Sequence, residues 1–87
     1  MTTERTAPVL YLVIPCYNEE AVLPETTKRL TEKLHTMIRT GLIDRESRIL
    51  YVDDGSRDQT WSLISEYSAA IPYVDGVKLA HNRGHQN

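Results

Sequence analysis

Eighty-seven residues make one small domain at most, with a thin core. Ten Lys and Arg against twelve Asp and Glu leave a net charge of -2, so no basic field exists to hold nucleic acid, and a chain 40% hydrophobic and 25% charged falls with globular domains rather than disordered ones. The longest unbroken apolar run, residues 9–14, is far shorter than the ~20 residues of a bilayer-spanning helix, residues 1–8 lack the apolar stretch of a secretory signal, and the single cysteine, Cys16, fits a reducing, cytoplasmic compartment.

The run 9–14 (VLYLVI) is β-branched and aromatic and is followed by Pro15, which cannot continue an inner strand; it predicts a buried parallel strand ending there. From Leu23 the period changes. Leu23, Leu30, Leu34, Met37 and Ile38 share one helical face, Glu25, Lys28, Arg29, Glu32 and Lys33 take the other, Pro24 suits the first turn, and Gly41 suits the position past the end. This predicts a helix over 23–40. Residues 48–52 (RILYV) form a second strand before Asp53, Asp54 and Gly55. Ser56 and Gln59 have the spacing of a capping box, and Trp61, Ile64, Ser68 and Ile71 follow at helical spacing, so a second helix is expected over 58–70, ahead of Pro72. A weaker third strand covers 76–80. Strand, helix, strand, helix, strand at these spacings implies right-handed parallel crossovers, with helices expected on both sheet faces. Residues 1–8 are expected to be a polar tail before a unit spanning 9–87, and the polar stretch 83–87 leaves the last element looking unfinished, as in a fragment.

Ligands of open parallel sheets bind beyond the carboxyl ends of the strands. Those ends carry Pro15, Cys16, Tyr17, Asn18, Glu19 and Glu20 after the first strand, and Asp53, Asp54, Gly55 and Ser56 after the second. The first turn contains no glycine, so neither a dinucleotide fingerprint nor a Walker A phosphate cradle is present. Tyr17 offers a ring to lie against a base, Glu19 an acceptor for ribose hydroxyls or base N–H groups, and Asp53 and Asp54 further acceptors. A carboxylate reads the ring N–H of uracil or the N–H and amino group of guanine, so this edge suits a nucleoside more than its phosphates.

The run VIPCYNEE at 13–20, followed by YVDDGSRDQT at 51–60, resembles the start of a glycosyltransferase family 2 catalytic domain of the GT-A fold. The tail LAHNRGHQN at 79–87 is similar to the polyprenyl-phosphate branch, which contains dolichyl-phosphate mannosyltransferases and undecaprenyl-phosphate glucosyltransferases. The resemblance runs from Val9 to the end and rests on two motifs in the right order and separation. It implies an α/β fold, the N-terminal βαβαβ portion of a Rossmann-like nucleotide-sugar-binding domain. It further implies that Pro15, Tyr17 and Glu19 line a nucleoside pocket, that Val52 and Asp54 contact base and ribose, and that Asp53 supports the turn or pocket wall. The donor would be a UDP- or GDP-sugar, the acceptor a lipid phosphate or a glycan, the chemistry inverting transfer, and the location the cytoplasm or the cytoplasmic face of a membrane. Mg²⁺ or Mn²⁺ is expected in the complete enzyme, held by a later D-x-D motif outside these residues, so this chain alone is expected to be inactive. With sheet neighbours missing, it is expected to be either marginally stable or stabilised by self-association.

Other residues have plainer readings. Cys16 has no base partner placed by sequence and suits a small buried position. His81 and His85 are spaced like a metal pair, but Gly84 between them argues against the helix they would need. Trp61 belongs to a helix's apolar face, and the acids at 53 and 54 also suit turn and helix-start chemistry without any ligand. Residues 49–54 (ILYVDD) additionally resemble the acidic strand of a response-regulator receiver domain, where carboxylates hold Mg²⁺ beside a phospho-accepting Asp; that reading leaves 9–20 unexplained.

Overall fold

The computed structural model describes residues 7–79. Its elements are β1 (Tyr11–Cys16), α1 (Leu23–Arg39), β2 (Arg48–Asp53), α2 (Thr60–Ala70) and β3 (Val74–Lys78), and the three strands form one parallel sheet in the order β1-β2-β3. The expected pair His81 and His85 and the end of the expected third strand lie outside the described residues.

β1 runs through Pro15 to Cys16 instead of stopping before the proline. The reason is its place at the edge of the sheet that the described residues form. Leu10 and Cys16 turn their carbonyls toward β2 and accept from the N–H groups of Arg48 and Asp54, each at 2.9 Å. The alternate residues Tyr11, Val13 and Pro15 therefore direct their backbone groups away from β2, where a missing N–H breaks no ladder bond.

α1 ends in a Schellman turn: the N–H of Gly41 donates to Ile38 and that of Leu42 to Met37, while Gly41 takes φ +81°. Its apolar face buries Leu23 and Leu34 and packs Leu30, Met37 and Ile38 against them. The capping box expected at Ser56 does not form. α2 starts at Thr60, after a Gln59 that makes no side-chain cap, because the Ser56 hydroxyl is engaged by another loop. Ser68 is exposed rather than part of the packed stripe; Leu63 and Tyr67 join Trp61, Ile64 and Ile71 there.

Among the described residues, the expectation of helices on both faces is not met. Tyr51 and Gly76 are neighbours in register, hence on one face. The Tyr51 hydroxyl bonds Thr27 Oγ1 of α1 at 2.7 Å, and Gly76 faces Ile64 and Trp61 of α2. Both helices thus cover the same side. Two successive right-handed crossovers that step in one direction across a sheet place their helices together, and only a reversal of direction would put one on the other side. Ile49, Tyr51 and Val74 are buried beneath the helices, whereas Tyr11, Val13 and Val77 on the opposite face are 54, 58 and 42% exposed. Among the described residues, the apolar run of β1 is accordingly buried on one face only.

Candidate functional site at the strand ends

The C-terminal ends of β1 and β2 lie side by side, with Pro15 opposite Val52 and Cys16 opposite Asp53. Pairing continues one step further through the N–H of Asp54, which donates to the Cys16 carbonyl. Alternation then sorts the sequence candidates. Pro15 and Val52 lie on the uncovered face, exposed and half-buried, and Asp54 is exposed beyond them. Cys16 and Asp53 are buried on the helix side.

Asp53 closes its own turn: both carboxylate oxygens accept from the Ser56 N–H, at 3.3 and 3.4 Å, while Gly55 supplies the left-handed step at φ +86°. The Cys16 thiol is pushed up to about 11, first by burial and then by the carboxylates of Glu19 and Asp53. At neutral pH it stays protonated and is a packing residue rather than a nucleophile.

Beyond the strands, the two loops are tied by main-chain N–H groups donating to side-chain oxygens. Asn18 donates to Ser56 Oγ at 2.9 Å, and its own Oδ1 accepts from the Arg57 N–H at 2.8 Å. Glu20 donates to Asp58 Oδ2 at 3.2 Å, and its Oε1 accepts from the Gln59 N–H at 2.7 Å. Between them the Glu19 N–H reaches Thr60 Oγ1 at 2.7 Å. Asn18 adopts φ +51°, a conformation its short polar side chain tolerates. The 18–20 segment is therefore held as a rigid insert against 56–60, with Tyr17 52% exposed at its start.

Sequence reasoning picked out Tyr17, Glu19 and Asp54 but missed Asn18, Glu20, Ser56, Asp58 and Thr60 as the ties between their loops. The available signal was the density of side-chain acceptors in both loops, each beside main-chain N–H groups that neither helix nor sheet could satisfy.

A hollow of about 140 Å³ opens beside the end of β1, lined in part by Pro15, Cys16, Glu19 and Leu23. That volume is of the order of the ~150 Å³ that accommodates a single six-membered ring. Pro15 and Glu19 border this hollow; Tyr17, Val52 and Asp54 do not, so the candidates form two adjoining surfaces rather than one enclosed pocket. A larger open groove, about 560 Å³, runs along Arg29, Lys33, Met37 and Leu42 on the outside of α1, away from both strand ends.

The family described as "Glycosyl transferase family 2" matches residues 11–87. The chain is 49% identical over 83 residues to a Bacillus subtilis (strain 168) protein named uncharacterized glycosyltransferase YkoT, a stretch covering 95% of this chain and 25% of that protein. It is 38% identical over 78 residues to the undecaprenyl-phosphate 4-deoxy-4-formamido-L-arabinose transferase of Shewanella sediminis (strain HAW-EB3), covering 87% of this chain and 22% of that one. A second Bacillus subtilis (strain 168) protein, uncharacterized glycosyltransferase YkcC, is 37% identical over 75 residues, 86% of this chain and 21% of its own length. The chain thus spans about a quarter or less of the length of these relatives. No solved structure matches it. A receiver-domain reading accounts for β2 alone, whereas the family match takes in the strand ends of both β1 and β2 and the loops tied across them; this chain belongs to glycosyltransferase family 2.

Proposed function

We propose that residues 9–87 supply the nucleotide-binding half of an inverting glycosyltransferase that takes a hexose from a UDP- or GDP-sugar. The observation that carries this reading is the placement of Tyr17, Glu19 and Asp54 at two adjacent strand ends of a Rossmann-like sheet, in loops fixed to one another. Pro15 and Glu19 would receive the base at the hollow beside β1, with Tyr17 on the adjoining surface. Val52 would floor the ribose and Asp54 accept from a base or sugar donor, while Asp53 holds the turn that presents Asp54. These groups bind and orient; none is placed to move a proton.

The acceptor we favour is a polyprenyl phosphate, supported by the relatives whose name specifies an undecaprenyl-phosphate transferase. Its phosphate oxygen is already ionised near neutral pH and needs no strong general base, unlike the hydroxyl of a glycan acceptor. A reaction of this kind belongs at the cytoplasmic face of a membrane. No helix among the described residues is long and apolar enough to cross one.

Family members commonly use a divalent cation at the diphosphate. Among the described residues no group of three His, Cys, Asp or Glu side chains could hold such an ion, and Asp53 is occupied by its own turn. The described residues do not fit a metal centre. Transfer would need residues beyond those of this chain, which alone binds donor nucleotide without turning it over.

Calorimetric titration of the 87-residue chain with UDP and GDP tests the assignment. One of the two should bind, and Asp54→Ala should weaken it by about tenfold or more, the loss of one acceptor to a desolvated donor. If Asp54→Ala binds both nucleotides like the parent, this carboxylate reads no nucleoside. If neither nucleotide binds the parent, the binding-half reading fails.

A further inference from the structure

Residues 18–20 meet the loop after β2 in an alternating pattern. Asn18 and Glu20 each give a main-chain N–H to that loop and take one back on the side chain: Asn18 pairs with Ser56 Oγ and the Arg57 N–H, and Glu20 with Asp58 Oδ2 and the Gln59 N–H. Both side chains are thereby turned toward 56–60. Glu19, between them, gives its N–H to Thr60 Oγ1 and borders the hollow beside Pro15, Cys16 and Leu23. Burial first, and the Glu19 carboxylate second, hold the Cys16 thiol up, which sets that carboxylate on the hollow's side of the loop. Two consecutive glutamates are thus used in opposite ways.

We propose that Glu20, with Asn18, is a positioning residue that aims the Glu19 carboxylate at the nucleoside, so that the second glutamate sets the affinity of the first without touching the ligand. The inference rests on the nucleotide reading of the strand ends. A carboxylate reads an N–H only over a narrow range of distance and angle, and a loop that samples other arrangements lowers the apparent affinity by the fraction of time it spends in the competent one. Asn18 sits at φ +51°, a left-handed step from which an unanchored chain would relax. Ties at 18 and at 20 remove the freedom on each side of Glu19. The hold at Glu20 does not depend on charge, because Oε1 accepts from a neutral main-chain N–H at 2.7 Å and an amide oxygen serves the same donor.

Calorimetric titration of the 87-residue chain with UDP and with GDP, at a temperature where circular dichroism shows each variant folded, tests the assignment. Glu20→Ala should weaken the nucleotide that the parent binds by roughly three- to tenfold. Glu20→Gln, which keeps an oxygen for the Gln59 N–H, should bind within about twofold of the parent. Asn18→Gly, which keeps the left-handed backbone and removes Oδ1, should repeat the loss from the other flank. In a Glu19→Ala background the loss from Glu20→Ala should vanish, because the carboxylate that it positions is gone. A parent that binds neither nucleotide removes the nucleotide reading and this inference with it. With a parent that binds, a Glu20→Ala variant equal to it, a Gln variant as weak as the Ala variant, or a loss that persists in full without Glu19 would overturn the positioning role alone and leave the nucleotide reading standing.

Discussion

The main-chain N–H of Glu19 donates to the side-chain oxygen of Thr60 at 2.7 Å, joining residues 41 positions apart. Thr60 is fully buried at the first turn of α2, and its hydroxyl proton goes to Asp58 Oδ1. One hydroxyl thus accepts from the loop that follows β1 and donates within the loop that follows β2. The position of Glu19 relative to Asp54 depends on it, although Thr60 itself borders neither candidate surface.

Thr60→Val keeps the shape and removes both bonds. The Glu19 N–H would then be left without its acceptor in a half-buried loop, and folding stability should fall by about 1–3 kcal/mol. Thr60→Ser should recover most of that, since the oxygen returns and only a methyl is lost. Urea unfolding midpoints of the three proteins check the order. Equal midpoints for the Val and Ser variants would mean that the hydroxyl does not tie the loops.

Two glycines are required for opposite reasons, and alanine separates them. At Gly76 an added Cβ would overlap Ile64 Cγ2 and come within 3.4 Å of Trp61 Cζ3, so α2 must lift from β3. The cost should be about 1–3 kcal/mol, as for other overpacked cores. At Gly41 the added atom meets nothing within 4 Å, but the backbone sits at φ +81°. There the penalty is conformational, about 1–2 kcal/mol. Trimming the neighbour distinguishes the two cases: Ile64→Ala should suppress the effect of Gly76→Ala and leave that of Gly41→Ala unchanged. An additive double variant at positions 64 and 76 would rule out the steric account.

The helices and strands were legible where periodicity acts alone. Leu23, Leu34 and Met37 mark the inward face of α1 by spacing, and Gly41 marks its end because a Schellman turn needs a left-handed residue. The same was true of the strand-end location of Pro15, Val52 and Asp54, which follows from parallel topology. What failed depended on partners distant in sequence. Pro15 stops an inner strand but not an edge strand, and nothing local says which β1 is. Ser56 has cap spacing, yet its oxygen serves Asn18, because a main-chain donor brought in from β1 competes with the helix end. The uncovered face was illegible for a related reason. Leu50 and Val52 are as apolar as Ile49 and Tyr51, and only the common direction of the two crossovers decides which pair the helices bury.

The same loop ties make stability sensitive to acid through Asp58. Desolvation alone would raise its pKa, but hydrogen bonds from the Thr60 hydroxyl, the Thr60 N–H and the Glu20 N–H together outweigh that and hold it below its ordinary 3.8. A carboxylate lowered on folding stabilises the native state in full above its unfolded value. That contribution is lost as pH falls through the folded value, because the unfolded chain then binds the proton more readily than the native one. Asp58→Asn retains an amide oxygen for the Thr60 N–H but cannot ionise. Near pH 6 the variant should unfold at lower urea than the parent, and the gap should close as pH drops below 3.8. The comparison subtracts the titration of every other carboxylate shared by the two proteins. A gap that is constant down to about pH 2.5, or that widens toward acid, would place the charge of Asp58 outside the loop junction and leave its hydrogen bonds to Thr60 and Glu20 without an ionic component.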